Sequence, residues 1–71
     1  MVEVKVDPKL ISKLNEASQK DKKAKELFDK FNKAVKKYIV VAATEEHFVE
    51  VEDKEKFSEL LEEIENYLKK R

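Results

Sequence analysis

The sequence has no cysteine, no glycine and no tryptophan, and only one proline and one histidine in 71 residues. Each absence excludes something. Without cysteine there is no disulfide staple and no thiol nucleophile. With a single histidine as well, there is no ordinary zinc staple. Without glycine, the standard forms of Gly-rich phosphate loops, nucleophile elbows and dinucleotide fingerprints are ruled out. No segment approaches the ~20 apolar residues of a membrane span, and residues 1–20 lack the continuous apolar stretch of a secretory signal. A cytoplasmic location is therefore expected if the chain is made in a cell. The lack of cysteine is compatible with a reducing compartment. The one methionine is the first residue, which fits a chain expressed from its own start.

The length suffices for one domain, residues 1–71, and not for two. Hydrophobic residues make up 41% of the chain, so the core is modest. Burial gains are set against an ordering cost of roughly 1.5 kcal/mol per residue, and for so short a chain the two nearly cancel. Good packing, strong local propensity or a partner chain must make up the difference. Charged residues are 45% of the sequence, and the net charge is zero. The signs are unevenly spread. Residues 1–38 hold eleven lysines and six acids, whereas residues 39–71 hold five basic residues and ten acids. Two halves that pack with complementary surfaces explain this. The sharper reading is a basic face for nucleic acid or acidic lipid, centred on Lys20, Lys22, Lys23 and Lys25. Nucleic-acid modules usually carry an overall positive excess with arginine or aromatic groups among the lysines. Here the one arginine is the terminal Arg71, so a nucleic-acid partner is not expected.

Val2-Glu3-Val4-Lys5-Val6 alternates with period two, the mark of a strand with one buried face. Asp7-Pro8 is a helix start. The aspartate accepts from free N–H groups of the first turn, and proline loses nothing at the first helical position. From residue 10 to 38 the apolar positions Leu10, Leu14, Ala17, Ala24, Phe28, Phe31, Val35 and Tyr38 follow a helical stripe. Ile11, Leu27 and Ala34 widen it. One continuous helix would reach on the order of 46 Å, far beyond the ~17 Å of a five-residue strand. A compact domain must break it, and the best place is Ser18-Gln19-Lys20-Asp21. There Asp21, the only polar residue in the stripe, caps a second helix. An unbroken helix would call for a second chain beside it.

Residues 38–43, Tyr-Ile-Val-Val-Ala-Ala, form a continuous apolar run that predicts a central strand covered on both sides, or mostly so. Thr44-Glu45-Glu46-His47 reads as a four-residue hairpin loop, with His47 or Glu46 in an unusual backbone conformation. Residues 48–52 alternate again. Asp53 caps a last helix carrying Phe57, Leu60, Leu61, Ile64, Tyr67 and Leu68. Lys69, Lys70 and Arg71 sit at its negative end. The expected fold is a two-layer α/β domain in the order β-α(α)-β-β-α. It has a three-stranded mixed sheet with helices on one face, and the first two strands are parallel and right-handed if they are neighbours. The other sheet face would show Glu3, Lys5, Glu50 and Glu52. An apolar patch on that face would come from Phe48 with either Val40 and Ala42 or Ile39 and Val41.

No motif carries catalysis. Ser12, Ser18 and Ser58 fall on helices. Glu62, Glu63 and Glu65 lie between apolar helical positions and face water, where nothing separates their pKa values for acid–base work. His47 with Glu45 and Glu46 offers no second histidine to complete a metal set. The Phe28–Phe31 pair reads as core. Phe48 is the informative residue. It is an aromatic on the charged face of its strand, and with Val40 and Ala42 it makes a candidate protein contact.

Lys22-Lys23-Ala24-Lys25-Glu26-Leu27 and Glu59-Leu60-Leu61-Glu62-Glu63-Ile64 fill helix surfaces with Lys and Glu, and Asp-Pro opens a helix. In this style the whole chain resembles a computationally designed (de novo) small α/β protein. It departs from that style in having no glycine to close helices and hairpins. Val4-Lys5-Val6-Asp7-Pro8-Lys9-Leu10-Ile11-Ser12-Lys13-Leu14, a helical hairpin and Thr44-Glu45-Glu46-His47 resemble the RelE/ParE toxin superfamily over residues 4–51. That resemblance would imply ribosome-dependent mRNA cleavage by basic and aromatic residues of a later strand. Here that strand is the acidic Phe-Val-Glu-Val-Glu, and no activity carries over. The topology is also similar to DinI-type βαββα proteins, which bind a recombinase filament. The resulting expectation is a non-enzymatic structural or designed scaffold with no catalytic residue, cofactor, metal or small-molecule substrate. The alternatives are a protein-interaction module, acting through a homodimer or another protein partner, and a weak nucleic-acid binder.

Overall fold

The computed structural model describes residues 1–70, so Arg71 and its expected place at the helix end lie outside the described residues. The elements are β1 (Val2–Val6), α1 (Pro8–Ser18), α2 (Lys22–Ala34), β2 (Lys37–Val41), β3 (Glu46–Val51) and α3 (Lys54–Lys69). All three helices open on the aspartates that the sequence pointed to. Asp7 Oδ1 accepts the Lys9 N–H at 2.9 Å, Asp21 Oδ1 the Lys23 N–H at 3.0 Å and Asp53 Oδ1 the Lys56 N–H at 3.1 Å. Each bond satisfies one of the donors that a helix start leaves unpaired. The long helical stripe breaks after Ser18, as the compactness argument requires, and Asp21 restarts it.

The sheet order is β1-β3-β2, and both ladders are antiparallel. This corrects two expectations. The sheet is antiparallel, not mixed, because β3 inserts between β1 and β2, which run parallel to each other without touching. The central strand is β3, and the apolar run of β2 lies at an edge. Antiparallel ladders hold better than parallel ones per residue. Only the central position lets Val49 and Val51 sit under the middle of the helix layer, where both are fully covered.

Val6, Val49 and Val51 from the sheet meet Leu14 and Ala17 of α1, Ala24, Leu27 and Phe31 of α2, and Phe57 and Ile64 of α3. The Phe31 and Phe57 rings meet at a 41° tilt with centroids 5.8 Å apart and join α2 to α3. Leu27 lies at the centre of the buried stripe of α2, and Phe28 is half-buried at its margin. The Phe28–Phe31 pair therefore belongs to the core, with Phe31 as its buried member. Tyr67 of α3 donates its hydroxyl hydrogen to Asp21 Oδ2, which ties the last helix to the α1–α2 turn. No helix among the described residues is long and apolar enough to cross a membrane.

The hairpin loop covers residues 42–45, and the Thr44 N–H donates to the Val41 carbonyl at 3.3 Å. The unusual backbone falls on Glu45, with φ of 57°, and not on Glu46 or His47. Those two residues already pair with β2, so they are held extended. A left-handed conformation costs a Cβ-bearing residue roughly 1–2 kcal/mol, and glycine escapes that cost but loses more entropy on folding. Glu45→Gly is therefore expected to stabilise the fold by about 0.5 kcal/mol, read as a higher urea midpoint with an unchanged slope. A lower midpoint would show that the Glu45 side chain contributes more than its backbone costs.

Candidate functional site

Strand pairing places every side chain of the sheet. Val2, Val4 and Val6 of β1 share the helix-side face with His47, Val49 and Val51 of β3 and with Tyr38 and Val40 of β2. The open face carries Glu3 and Lys5, then Glu46, Phe48 and Glu50, then Lys37, Ile39 and Val41. Phe48 lies on the open face, opposite Lys5 on one side and Ile39 on the other. Its apolar neighbours are Ile39 and Val41, the second of the two alternatives. Val40 points to the helix side, and Ala42 lies in the exposed turn. The structure therefore does not bring Phe48, Val40 and Ala42 together on one face. Glu52 lies past the end of β3, so the fourth charge expected on the open face is not on the strand.

β2 contributes no residue to the buried core. Lys37, Ile39 and Val41 point to the open face, and its two helix-side residues, Tyr38 and Val40, lie outside the cover that the helices give Val6, Val49 and Val51. Tyr38 is 41% exposed, Val40 56% and Val41 37%. On the helix side, the Tyr38 hydroxyl and His47 Nδ1 share a 2.8 Å hydrogen bond, with the rings in edge-on contact at 5.6 Å. Partial burial raises the pKa of the Tyr38 phenol. Among the described residues, no strand lies on the other side of β2. The two sheet edges differ in their protection. β1 alternates Val with Glu3 and Lys5, charges of the kind that discourage edge-to-edge pairing. β2 has one charge, Lys37 at its start, and then four consecutive apolar residues with neither proline nor a charge among them. Tyr38 falls in the apolar run that predicts a strand, but its bond to His47 is not legible in the sequence, since no short-range pattern links the two residues.

Ion pairs link elements across the surface. Lys23 Nζ lies 3.6 Å from Glu63 Oε1 and Lys36 Nζ 3.7 Å from Glu52 Oε1. The basic group Lys20, Lys22, Lys23 and Lys25 is exposed around the start of α2, and its Lys23 is drawn toward the acids of α3. Lys20 also lines an open groove of about 720 Å3 between α1 and α3, with Lys9, Lys13 and Lys69 against Glu16 and Glu65 over Leu10 and Leu68. A second concavity, of about 600 Å3, joins His47 and Glu45 to Asp7 and Glu65. Among the described residues, no three His, Cys, Asp or Glu side chains converge as a metal set would.

On the open face Lys5 Nζ lies 2.9 Å from Glu46 Oε2. The hydrogen bond from Lys5, a second from the Thr44 side chain and the Lys5 charge hold the Glu46 carboxyl below its usual pKa. A carboxyl depressed in the folded state contributes stability above its unfolded pKa, and that contribution fades as pH falls through the folded value. Lys5→Met is therefore expected to move the Glu46 titration upward and to remove this small pH-dependent contribution to stability. The carboxyl carbon chemical shift followed through acid pH reads the change. Coincident curves for the two proteins would show that Lys5 does not act on Glu46.

No protein family, curated protein or solved structure matches this chain.

Proposed function

We propose that this chain is a non-enzymatic scaffold domain that acts by protein contact, taking an additional strand along the free edge of β2. The observation that carries this reading is the placement of Tyr38-Ile39-Val40-Val41. The most apolar strand of the chain is left out of the core it could have completed, beside an unoccupied edge. In a domain with so small a core, apolar side chains spent outside it lower solubility without adding stability to the lone chain. They gain their worth when a partner strand covers them. Strand addition draws affinity from main-chain hydrogen bonds and specificity from alternate side chains on each face. Here those are Tyr38 and Val40 on one side and Ile39 and Val41 on the other. The Lys- and Glu-filled helix surfaces and the balanced charge support a designed origin for the scaffold.

Selection of random displayed peptides against the folded protein tests the reading. Extended, β-branched ligands are expected, with amide shift changes concentrated on residues 37–41. Val40→Glu is expected to weaken them at least about tenfold, as a buried charge without a partner must, and Val2→Glu on the opposite edge to leave them unchanged. Ligands that shift α1 and α3 and leave β2 untouched would refute it.

A further inference from the structure

We infer that the strand received by β2 is β2 of a second copy, paired antiparallel about Ile39. This deepens the reading above and rests on it. A two-fold axis normal to the sheet keeps the helices of both copies on one side and reverses the strand direction. Centred on Ile39, it places Ile39 opposite Ile39, Tyr38 opposite Val40 and Lys37 opposite Val41. Every residue of the strand then finds a partner. Moving the axis by one residue toward either end drives part of β2 against the turn or against the residues before the strand.

Three features of the chain favour this occupant over an unrelated strand. The first is the continuity of the rows across the sheet. On the open face, Phe48 and Ile39 lie side by side in one copy. The Ile39-centred register extends them to Ile39 and Phe48 of the second copy, an unbroken apolar band flanked by Lys5 at each end. On the helix side, Val49 and Tyr38 of one copy continue into Val40 and His47 of the other, again from observed pairs. The two exposed residues Tyr38 and Val40 thus cover one another twice. The second feature is charge. Lys36 and Lys37 stand at the start of β2, and Glu45 and Glu46 stand where its hairpin loop passes into β3. Antiparallel pairing lays the basic end of each copy beside the acidic end of the other, whereas parallel pairing would set lysine against lysine. Lys37 lies across Val41 of the second copy from that copy's Glu46, which is the residue opposite Val41. The third is a net charge of zero, which leaves no long-range repulsion between copies.

The contact is one short strand wide, so the dimer is expected to be concentration-dependent, in the class of small, weak interfaces. Sedimentation equilibrium of the full chain should show a mass rising from the 8.4 kDa of one chain toward twice that value as concentration approaches roughly 1 mM, the range in which such interfaces fill. Ile39→Lys sets two like charges face to face on the axis and should return the protein to a single-chain mass. Val40→Lys should do the same from the helix side, and it replaces the most exposed apolar residue of the strand, so the fold should survive it. Val2→Lys on the β1 edge should leave the dimer intact. In mixtures of isotope-labelled and unlabelled protein, contacts between the Tyr38 ring and Val40 methyls of different chains should appear.

A single-chain mass throughout overturns the inference. So does a dimer that persists in folded Ile39→Lys and Val40→Lys, since it would use another surface. The two readings separate cleanly. If the protein stays monomeric while selected peptides still shift residues 37–41, the second copy is the wrong occupant and the strand-accepting edge stands. If neither copies nor peptides perturb β2, both fall.

Discussion

Phe57→Ala is expected to leave little folded protein at room temperature. Phe57 is only 2% exposed and is the largest fully buried side chain. It lies in the first turns of α3, and its ring meets Phe31 of α2. Truncating a buried phenylalanine costs about 3–5 kcal/mol, in which the lost transfer energy is joined by the cavity left behind. A domain of this length without staples has little more than about 5 kcal/mol in total. Neither a disulfide nor a bound metal is available to hold α3 while the core re-forms. Urea unfolding followed by far-UV circular dichroism should show a midpoint near zero denaturant for the variant. A loss below about 1 kcal/mol would mean that α2 and α3 do not meet through this ring.

The second large effect is expected at Asp21, whose two carboxylate oxygens serve different levels of structure. Oδ1 caps α2 through the Lys23 N–H, and Oδ2 accepts from the Tyr67 hydroxyl on α3. Losing an N-cap costs about 1 kcal/mol, and losing a hydrogen bond to a charged group about 1.5–3 kcal/mol when it is well buried. Asp21 and Tyr67 are only half-buried, so Asp21→Ala should cost about 2–3 kcal/mol in all. Tyr67→Phe removes the tie while leaving the Asp21 cap in place and should cost about 1 kcal/mol. In the double variant the losses should fall short of additivity, because each single change already breaks the shared bond. Asp21→Ser keeps a capping oxygen and should recover about half of the loss. Additive losses would show that the cap and the tie are independent.

These two residues show how differently the parts of this protein could be read. Phe57 belongs to a stripe with helical spacing behind a capping aspartate, and its burial follows from that pattern alone. Asp21 as a cap was equally legible, because a polar residue interrupting an apolar stripe is a local event. Its bond to Tyr67 was not, since 46 positions separate the two and no short-range pattern connects them. The same division runs through α2. The stripe was evident, yet whether Leu27 or Phe28 lay at its centre depended on where α1 and α3 came to rest. The structure settled on Leu27.

The candidate edge was only half visible. Phe48 on a charged strand face, beside an apolar neighbour, could be inferred from alternation once the hairpin was recognised. The neighbour's place in the sheet could not. Tyr-Ile-Val-Val-Ala-Ala has the composition of a buried central strand and equally that of an adhesive edge, and period-two logic is silent when every residue is apolar. The run leaves Val40 free to take either face and extends the strand to Ala42, whereas β2 ends at Val41.

What the amino-acid order determined by itself is the succession of elements, the three aspartate caps, the break near residue 20 and the inward faces of β1 and β3. All of these rest on interactions within a few residues along the chain. Tertiary structure alone decided that β3 lies between β1 and β2, and therefore that β2 is uncovered. Strand order is set by which side chains three helices can jointly shelter, and that competition among distant segments leaves no trace in any single one of them.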